Sequence, residues 1–115
     1  MKEGNVVLTD LPQSDGKIKT RPVLLLRQLP APYNDYLVCG ISSQIHQMIE
    51  NFDELISEQD EDYLDSGILK EYIIRLSFLA VIPTKIIVGK IGTISRIRHK
   101  KLLHRIGNYL IGSSL

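Results

Sequence analysis

The sequence has one cysteine, no tryptophan and no long apolar run. Cys39 has no partner for an internal disulfide, and its apolar neighbours in VCGI indicate a small buried side chain rather than a catalytic thiol. No apolar run approaches the roughly 18 residues that cross a bilayer, and the N-terminus lacks the apolar segment of a signal peptide. These absences argue against a disulfide-stabilised secreted protein and against a membrane partner, and they favour a cytoplasmic location.

Recognisable motifs for metal binding or catalysis are also absent. The three histidines and the cysteine show no metal-ligand spacing, so neither a metal ion nor another cofactor is expected. The stretch GKIGT at 89–93 lacks the Lys-Ser/Thr ending of a phosphate loop, and no Gly-x-Ser-x-Gly elbow occurs. A candidate site must therefore come from polar residues at the ends of predicted elements.

Acidic residues are missing from the last part of the chain. After Glu71 there are eight Lys or Arg and no Asp or Glu, whereas residues 51–71 hold eight acids and only one basic residue, Lys70. Such a split is typical of a polyanion-facing surface beside an acidic loop. It is equally compatible with two segments that neutralise each other across the fold, and the charge pattern alone does not choose between them.

Short apolar runs separated by turn signals predict a mainly β protein. The 115 residues, 43% of them hydrophobic and 23% charged, suit one globular domain spanning 1–115. Strands are predicted at 5–11, 21–29 and 35–42, and a longer one at 69–82 that Pro83 ends. This spacing predicts a small antiparallel barrel or a curled sheet.

Two further segments have helical features. Residues 44–65 are acidic and predict an exposed excursion, in which Met48, Phe52, Leu55 and Ile56 could share one face of a short helix. Two glycines in TKIIVGKIGTIS suggest tight bends, and Ser95 is a predicted N-cap for a C-terminal helix. The apolar stripe of this predicted helix is formed by Leu102, Leu103, Ile106 and Leu110. Its basic face is formed by Arg96, Arg98, Lys100, Lys101 and Arg105.

The stretch KTRPVLLLR at 19–27 places Arg21 just before an aliphatic strand, and the third strand ends in Ser42-Ser43-Gln44. If these strands form a hairpin around PAPYND, Arg21 and Ser42 face each other, because they are about equally far from the turn. A guanidinium fork and a hydroxyl together suit a phosphate and can stabilise a pentavalent phosphorane. The plainer interpretation is that Arg21 pairs with a surface acid and Ser42 caps a turn.

The order of these segments resembles the MazF/PemK family of toxin endoribonucleases. GNVVLTDLP is similar to the family's opening strand, DGKIKTRPVLLL to its loop followed by Arg-Pro and an aliphatic strand, and VCGISSQ to its motif ending Ile-Thr-Ser-Gln. The stretch SGILKEYIIRLSFLAVIPTKIIVGKIGTIS resembles its C-terminal half. The sequence departs from the family at Asn5, where Asp is usual, at Ser42, where Thr is usual, and at Ser77–Phe78, where a charged pair is frequent.

The resemblance implies a small SH3-like antiparallel barrel with a C-terminal helix, active as a homodimer. It also implies a metal-independent, sequence-selective mRNA interferase that cleaves single-stranded RNA by attack of a ribose 2′-OH on the adjacent phosphate, with Arg21 and Ser42 as the catalytic residues. A cognate antitoxin would inhibit the toxin by occupying the RNA groove and would bind DNA together with it. We expect RNA contacts from residues near the catalytic pair: Lys17, Lys19, Ser43 and Gln44.

Two questions stay open at the level of sequence. No general base is evident, since His46 has a suitable intrinsic pKa but is better interpreted as an exposed loop histidine. The departures at Ser42 and Ser77–Phe78 also leave room for a binding protein without nuclease activity on the same barrel. Such a protein would be a gyrase poison or a degenerate copy that binds the antitoxin.

Overall fold

The computed structural model describes residues 1–12 and 14–112. In these residues the chain forms a mainly β fold with one C-terminal α-helix, as the sequence predicted. The helices of the described part include none with the length and hydropathy of a membrane span. The elements are β1 (Asn5–Pro12), β2 (Ile18–Gln28), β3 (Asp35–Ser42), β4 (Glu54–Ile56), β5 (Tyr72–Pro83), β6 (Ile87–Thr93) and α1 (Arg96–Leu110), with 3-10 turns at Ile45–Gln47 and Thr84–Ile86.

The strands form one antiparallel sheet in the order β4-β5-β3-β2-β1-β6. The sheet is open rather than a closed barrel, because its edge strands β4 and β6 are not paired with each other in the described residues. The segment that follows β4 spans this gap. The backbone N–H of Thr93 donates to the carbonyl of Asp65 at 2.8 Å, and the N–H of Ser95 donates to the carboxylate of Asp62 at 2.9 Å. The acidic excursion therefore completes the barrel-like shape that strand pairing leaves unfinished.

Alternate residues of the strands bury two apolar clusters, one on each face of the sheet. Val6, Leu24 and Cys39 belong to the cluster that packs against Leu102 and Ile106 of α1. The second cluster, on the opposite face, is Val7, Val23, Leu25, Tyr36, Val38 and Ile82. Burial on both faces explains why β2 is a continuous aliphatic run. It also raises the pKa of the Cys39 thiol, so this cysteine is the inert buried side chain that its neighbours predicted.

The helix that the sequence allowed within 44–65 does not form. Ile45–Gln47 is a single 3-10 turn, and Glu54–Ile56 is strand β4, which pairs with the start of β5. Between them Asn51 has a φ of 64°, a left-handed conformation that a continuous helix does not allow. Tertiary pairing with β5 therefore decides this segment, because its apolar spacing fits either structure.

The two glycines after Pro83 lie within strand β6 and do not mark tight bends. They accompany two register shifts in the β1–β6 ladder. A Cβ at Gly92 would collide with the backbone of Ser66, so the glycine allows the excursion to lie directly on β6. Close backbone approach is the reason for a glycine at this position.

The C-terminal helix begins where the sequence predicted. The Ser95 hydroxyl accepts a hydrogen bond from the N–H of Arg98 at 3.1 Å, which is N-cap geometry. Leu102 and Ile106 are buried, but Leu110 is 68% exposed and is not part of the buried stripe. The amphipathic pattern is therefore correct over the first three turns and wrong at the last apolar residue.

Three cations of the helix face the acidic segment. Arg98 contacts Glu54 at 2.7 Å, Asp62 at 2.8 Å and Asp60 at 3.2 Å. Lys101 and Arg105 both contact Glu54, at 2.9 and 3.2 Å. For these residues the charge split is resolved by mutual neutralisation across the fold, whereas Arg96 and Lys100 are exposed.

Candidate active site

A β-bulge sets the register between Arg21 and Ser42. The β2–β3 ladder has an extra residue at Leu26, beyond which Val23 lies opposite Gly40. Continuing that register past the last ladder pair brings Arg21 opposite Ser42. Without the extra residue, Arg21 would be offset by one position along β3. The hairpin symmetry in the sequence led to the same pair without revealing the bulge that produces it.

Both residues line one cavity of about 270 Å³, which we call the Arg21 cavity. It lies where β2 and β5 begin and β3 ends. Its described lining holds the cations Arg21 and Lys70 and no acid. Lys17 and Lys19, which were expected to contact RNA, are exposed on the β1–β2 side and are not part of this lining. The lining residues are Arg21, Pro22, Ile41, Ser42, Ser43, Gln44, Ile68, Lys70 and Tyr72.

The side chains of Arg21 and Ser42 differ in the interactions that they make with the rest of the protein. The Arg21 side chain is exposed and makes no ion pair with any described residue, so the interpretation as a simple surface salt bridge does not hold. The Ser42 hydroxyl accepts a hydrogen bond from the N–H of Gln44 at 3.0 Å, which is the turn-capping role that the sequence left open. Its own O–H remains available to donate, because a hydroxyl has one proton and two lone pairs.

Sequence reasoning did not single out Lys70, Tyr72 or Arg75. Lys70 precedes β5 and lines the Arg21 cavity. Tyr72 is fully buried and also lines the cavity, and this burial raises the pKa of its hydroxyl. Arg75 lies opposite Gly40 on β5, and its buried Nε has no described partner. Arg75 is not among the lining residues of the cavity. Only the pairing of β5 with β3 brings Lys70 and Tyr72 to the site, so no local pattern in the sequence points to them.

The histidines do not contribute to the cavity. His46 is exposed in the 3-10 turn after β3, as the loop interpretation expected, and it is not among the lining residues. His99 is held by its Nε2, which lies 2.8 Å from the carbonyl oxygen of Leu26, and His104 is exposed on α1. Among the described residues, no group of three or more His, Cys, Asp or Glu could hold a metal ion.

The departure at Ser77–Phe78 has a structural explanation. The β3–β5 register shifts between Cys39 and Gly40, so that β5 carries extra residues at this point. The backbone N–H and the hydroxyl of Ser77 each donate to the carboxylate of Asp53 at 3.0 Å. Phe78 lies over Gly40, where an added Cβ would be 3.2 Å from its ring. This pair stabilises a bulge and lies outside the lining of the Arg21 cavity.

An apolar groove of about 510 Å³ lies between the 3-10 turn region, β5 and the end of α1. Leu110, which is exposed instead of buried, is one of its walls. Near the groove, β5 exposes Phe78, Leu79 and Val81 to 43%, 39% and 54%. The groove is lined by Ile49, Phe52, Leu76, Ser77, Leu79, Ile106, Tyr109 and Leu110.

Comparison with known proteins agrees with this architecture. The solved structure of the Mycobacterium tuberculosis toxin MazF-mt6 is similar in fold, with a TM-score of 0.68 and 18% sequence identity over 96% of this chain and 99% of that chain. No curated protein sequence matches this chain. A family model described as PemK-like, MazF-like toxin of type II toxin-antitoxin system matches residues 2–110. The chain therefore belongs to the family of PemK-like and MazF-like toxins of type II toxin–antitoxin systems.

Proposed function

We propose that this toxin is an endoribonuclease that cleaves single-stranded mRNA selectively, by attack of a ribose 2′-OH on the adjacent phosphate. The observation that carries the proposal is the composition of the Arg21 cavity: two cations and hydroxyl donors with no acid in its described lining. A phosphodiester is the ligand that such a site complements best. Attack forms the O2′–P bond and breaks the P–O5′ bond, so the products are a 2′,3′-cyclic phosphate and a 5′-hydroxyl, with one proton passing overall from O2′ to O5′.

Arg21 and Ser42 have different roles at the phosphate. The guanidinium of Arg21, which makes no ion pair with any described residue, binds two phosphate oxygens and stabilises the charge that builds up in the phosphorane. Ser42 donates its O–H to a phosphate oxygen. The hydrogen bond that Ser42 accepts from Gln44 N–H orients this hydroxyl. That bond offsets the rotamer freedom gained by replacing the family's usual threonine with serine.

Other residues hold the RNA strand. Ser43, Gln44 and Lys70 line the same cavity and contact the nucleotides on either side of the phosphate. Lys17 and Lys19 are exposed beside β2 and attract the backbone at longer range. The protein needs no metal ion for this reaction, because the cations of the cavity neutralise the phosphate.

We also propose that the toxin is a cytoplasmic homodimer and that a cognate antitoxin covers it. The exposed apolar residues of β5 and the groove beside α1 supply the surface for such contacts. The end of α1 and the residue after it expose Tyr109, Leu110 and Ile111, and burial of these side chains in an interface would stabilise an assembly. Size-exclusion chromatography with light scattering tests the dimer.

Cleavage by purified protein tests the nuclease directly. Wild-type protein should cut a long single-stranded RNA to fragments with 2′,3′-cyclic phosphate ends, and a single 2′-deoxy nucleotide at the cleaved position should stop the cut. Arg21→Ala should abolish cleavage with an unchanged circular dichroism spectrum, and Arg21→Lys should restore only a small part of it, because lysine has no planar fork. Growth arrest by a wild-type protein that cuts no RNA would reject the nuclease and support the non-nuclease binding protein.

A further inference from the structure

A second cavity, of about 300 Å³, adjoins the Arg21 cavity and shares Lys70 with it. We call it the Glu71 cavity. Its size is similar to that of the Arg21 cavity, but its charge is different, because two acids lie in its lining. The lining residues are Ser57, Glu58, Gln59, Tyr63, Leu69, Lys70 and Glu71.

The two cavities open at the same end of the sheet, on opposite sides of the start of β5. Strand β3 ends at Ser42 on one side, and β4 ends at Ile56 on the other side, where it pairs with Tyr72. Lys70 lies just before β5 and lines both cavities. An RNA strand with one phosphate at Arg21 can therefore pass Lys70 and place a neighbouring nucleotide in the Glu71 cavity.

The chemistry of the Glu71 cavity suits a base rather than a phosphate. Glu58 and Glu71 are exposed and make no ion pair or hydrogen bond with any described residue, so their carboxylates repel an anion and can accept hydrogen bonds. The Ser57 hydroxyl donates to Oε1 of Gln59 at 2.8 Å, which leaves the amide N–H groups of Gln59 as donors. Tyr63, half buried, and Leu69, 85% exposed, offer apolar contacts to a ring.

Carboxylate acceptors distinguish among the four RNA bases. Adenine, guanine and cytosine carry exocyclic amino groups that donate hydrogen bonds, whereas uracil has carbonyl oxygens at the corresponding positions and only its ring N3–H as a donor on that edge. A uracil carbonyl facing Glu71 would bring two acceptors together. The cavity therefore complements amino-bearing bases and disfavours uracil.

We propose that the Glu71 cavity is a base subsite that selects a nucleotide with an exocyclic amino group next to the cleaved phosphate. The proposal rests on the ribonuclease function above. Glu71 and Glu58 accept the amino protons, Gln59 donates to a ring nitrogen or carbonyl of the same base, and Lys70 lies beside the connecting phosphate.

Cleavage of RNA oligonucleotides that differ only at the positions flanking the cleaved phosphate tests the subsite. Wild-type protein should prefer adenine, guanine or cytosine over uracil at one flanking position. Replacing adenosine there by purine riboside, or guanosine by inosine, removes only the amino group and should lower kcat/KM about tenfold, the equivalent of one charge-assisted hydrogen bond. Glu71→Gln should reduce the preference over uracil by a similar factor.

The matched control is Glu61→Gln, because Glu61 is an exposed acid of the same segment that does not line the cavity. This variant makes the same change in net charge and should keep the wild-type base preference. An unchanged preference in a Glu58→Gln, Glu71→Gln double variant would overturn the subsite. So would a double variant that only weakens inhibition by the antitoxin, because the cavity would then hold a basic side chain of that protein.

Binding of 2′-O-methyl RNA oligonucleotides, followed by fluorescence anisotropy, separates this proposal from the nuclease itself. These oligonucleotides have no free 2′-OH and so report binding without cleavage. If wild-type protein cuts no RNA but still binds amino-bearing sequences more tightly, and Glu71→Gln removes that preference, the nuclease fails and the subsite holds. Equal binding of all sequences by the wild-type protein would reject the subsite even where cleavage occurs.

Discussion

Replacing Arg98 by alanine should destabilise the protein more than the same replacement of any other basic residue on α1. The Arg98 side chain is 13% exposed and joins the helix to the acidic segment through Glu54, Asp60 and Asp62. The carboxylates of Glu54 and Asp62 are themselves only 8% and 5% exposed. The substitution therefore leaves buried charges behind instead of merely removing a surface pair.

The loss of stability in Arg98→Ala depends on which partners each carboxylate retains. Glu54 retains Lys101 and Arg105, so its charge stays compensated. Asp62 retains only the backbone N–H of Ser95 among these contacts, at 2.9 Å. Removing one partner of a buried pair costs about 3–5 kcal/mol, and the compensation at Glu54 places Arg98→Ala near the lower end, at about 3 kcal/mol. That is a large part of the roughly 5–15 kcal/mol that stabilises a domain of this size.

Urea denaturation of wild type and variant, followed by circular dichroism and extrapolated to water, measures the difference. The melting temperature should fall by about 10 °C. Arg96→Ala is the matched control, because Arg96 is an exposed cation of the same helix without an ion pair among the described residues, and it should change the free energy of unfolding by no more than about 0.5 kcal/mol. A loss below about 1 kcal/mol for Arg98→Ala would refute the reasoning, since the acidic segment would then not depend on this cation.

Three further substitutions or conditions probe the same molecule. Burial raises the pKa values of Glu54 and Asp62, but hydrogen bonds from basic side chains outweigh it and hold both pKa values below their usual range. Both carboxylates therefore stabilise the fold at any pH above their pKa in the unfolded chain, and this stabilisation is lost as the pH falls through the lower folded pKa. The urea midpoint should accordingly drop in acid below about pH 4. Ser42→Ala should lower the rate of RNA cleavage roughly 100-fold, whereas Ser42→Thr should retain it, as measured with a fluorescent oligonucleotide; equal rates for the two variants would exclude a role for the hydroxyl. Asp53→Ala removes the acceptor of the β5 bulge and should lower the free energy of unfolding by about 3 kcal/mol, against less than about 0.5 kcal/mol for the exposed Glu50→Ala.

The Ser77–Phe78 departure is now better explained by folding than by loss of function. Ser77 is bound to Asp53, and Phe78 lies over Gly40, so both residues support the bulge in β5. The Arg21 cavity is lined by other residues. A change at this pair is therefore expected to act on stability first, and on cleavage only through the position of β3.

Local patterns in the sequence predicted the regular elements well. The third strand has the bounds that its apolar run predicted, 35–42, and Ser95 caps α1 as its position before a basic amphipathic run indicated. Hairpin symmetry also placed Arg21 near Ser42, and both residues line one cavity. These predictions succeed because periodicity, turn residues and caps act over a few neighbouring residues.

Contacts between distant segments decided the rest. The basic residues after Glu71 could face a polyanion or neutralise the acidic segment, and only the packing of α1 beside β4 brings Arg98 to Glu54 and Asp62. The bulge at Leu26 and the β5 register shift appear in no local pattern, yet they determine which side chains meet at the Arg21 cavity.

The sequence by itself determined strands β1, β2, β3 and β5, the C-terminal helix with its cap, and the arginine placed before an aliphatic strand, because each depends on short-range backbone preferences and burial periodicity. Tertiary structure alone decided that Lys70 joins Arg21 in one cavity and that Glu71 lines the next. The reason is physical: strand register is set by long-range hydrogen bonding across the whole sheet, and one extra residue in a strand moves every side chain beyond it.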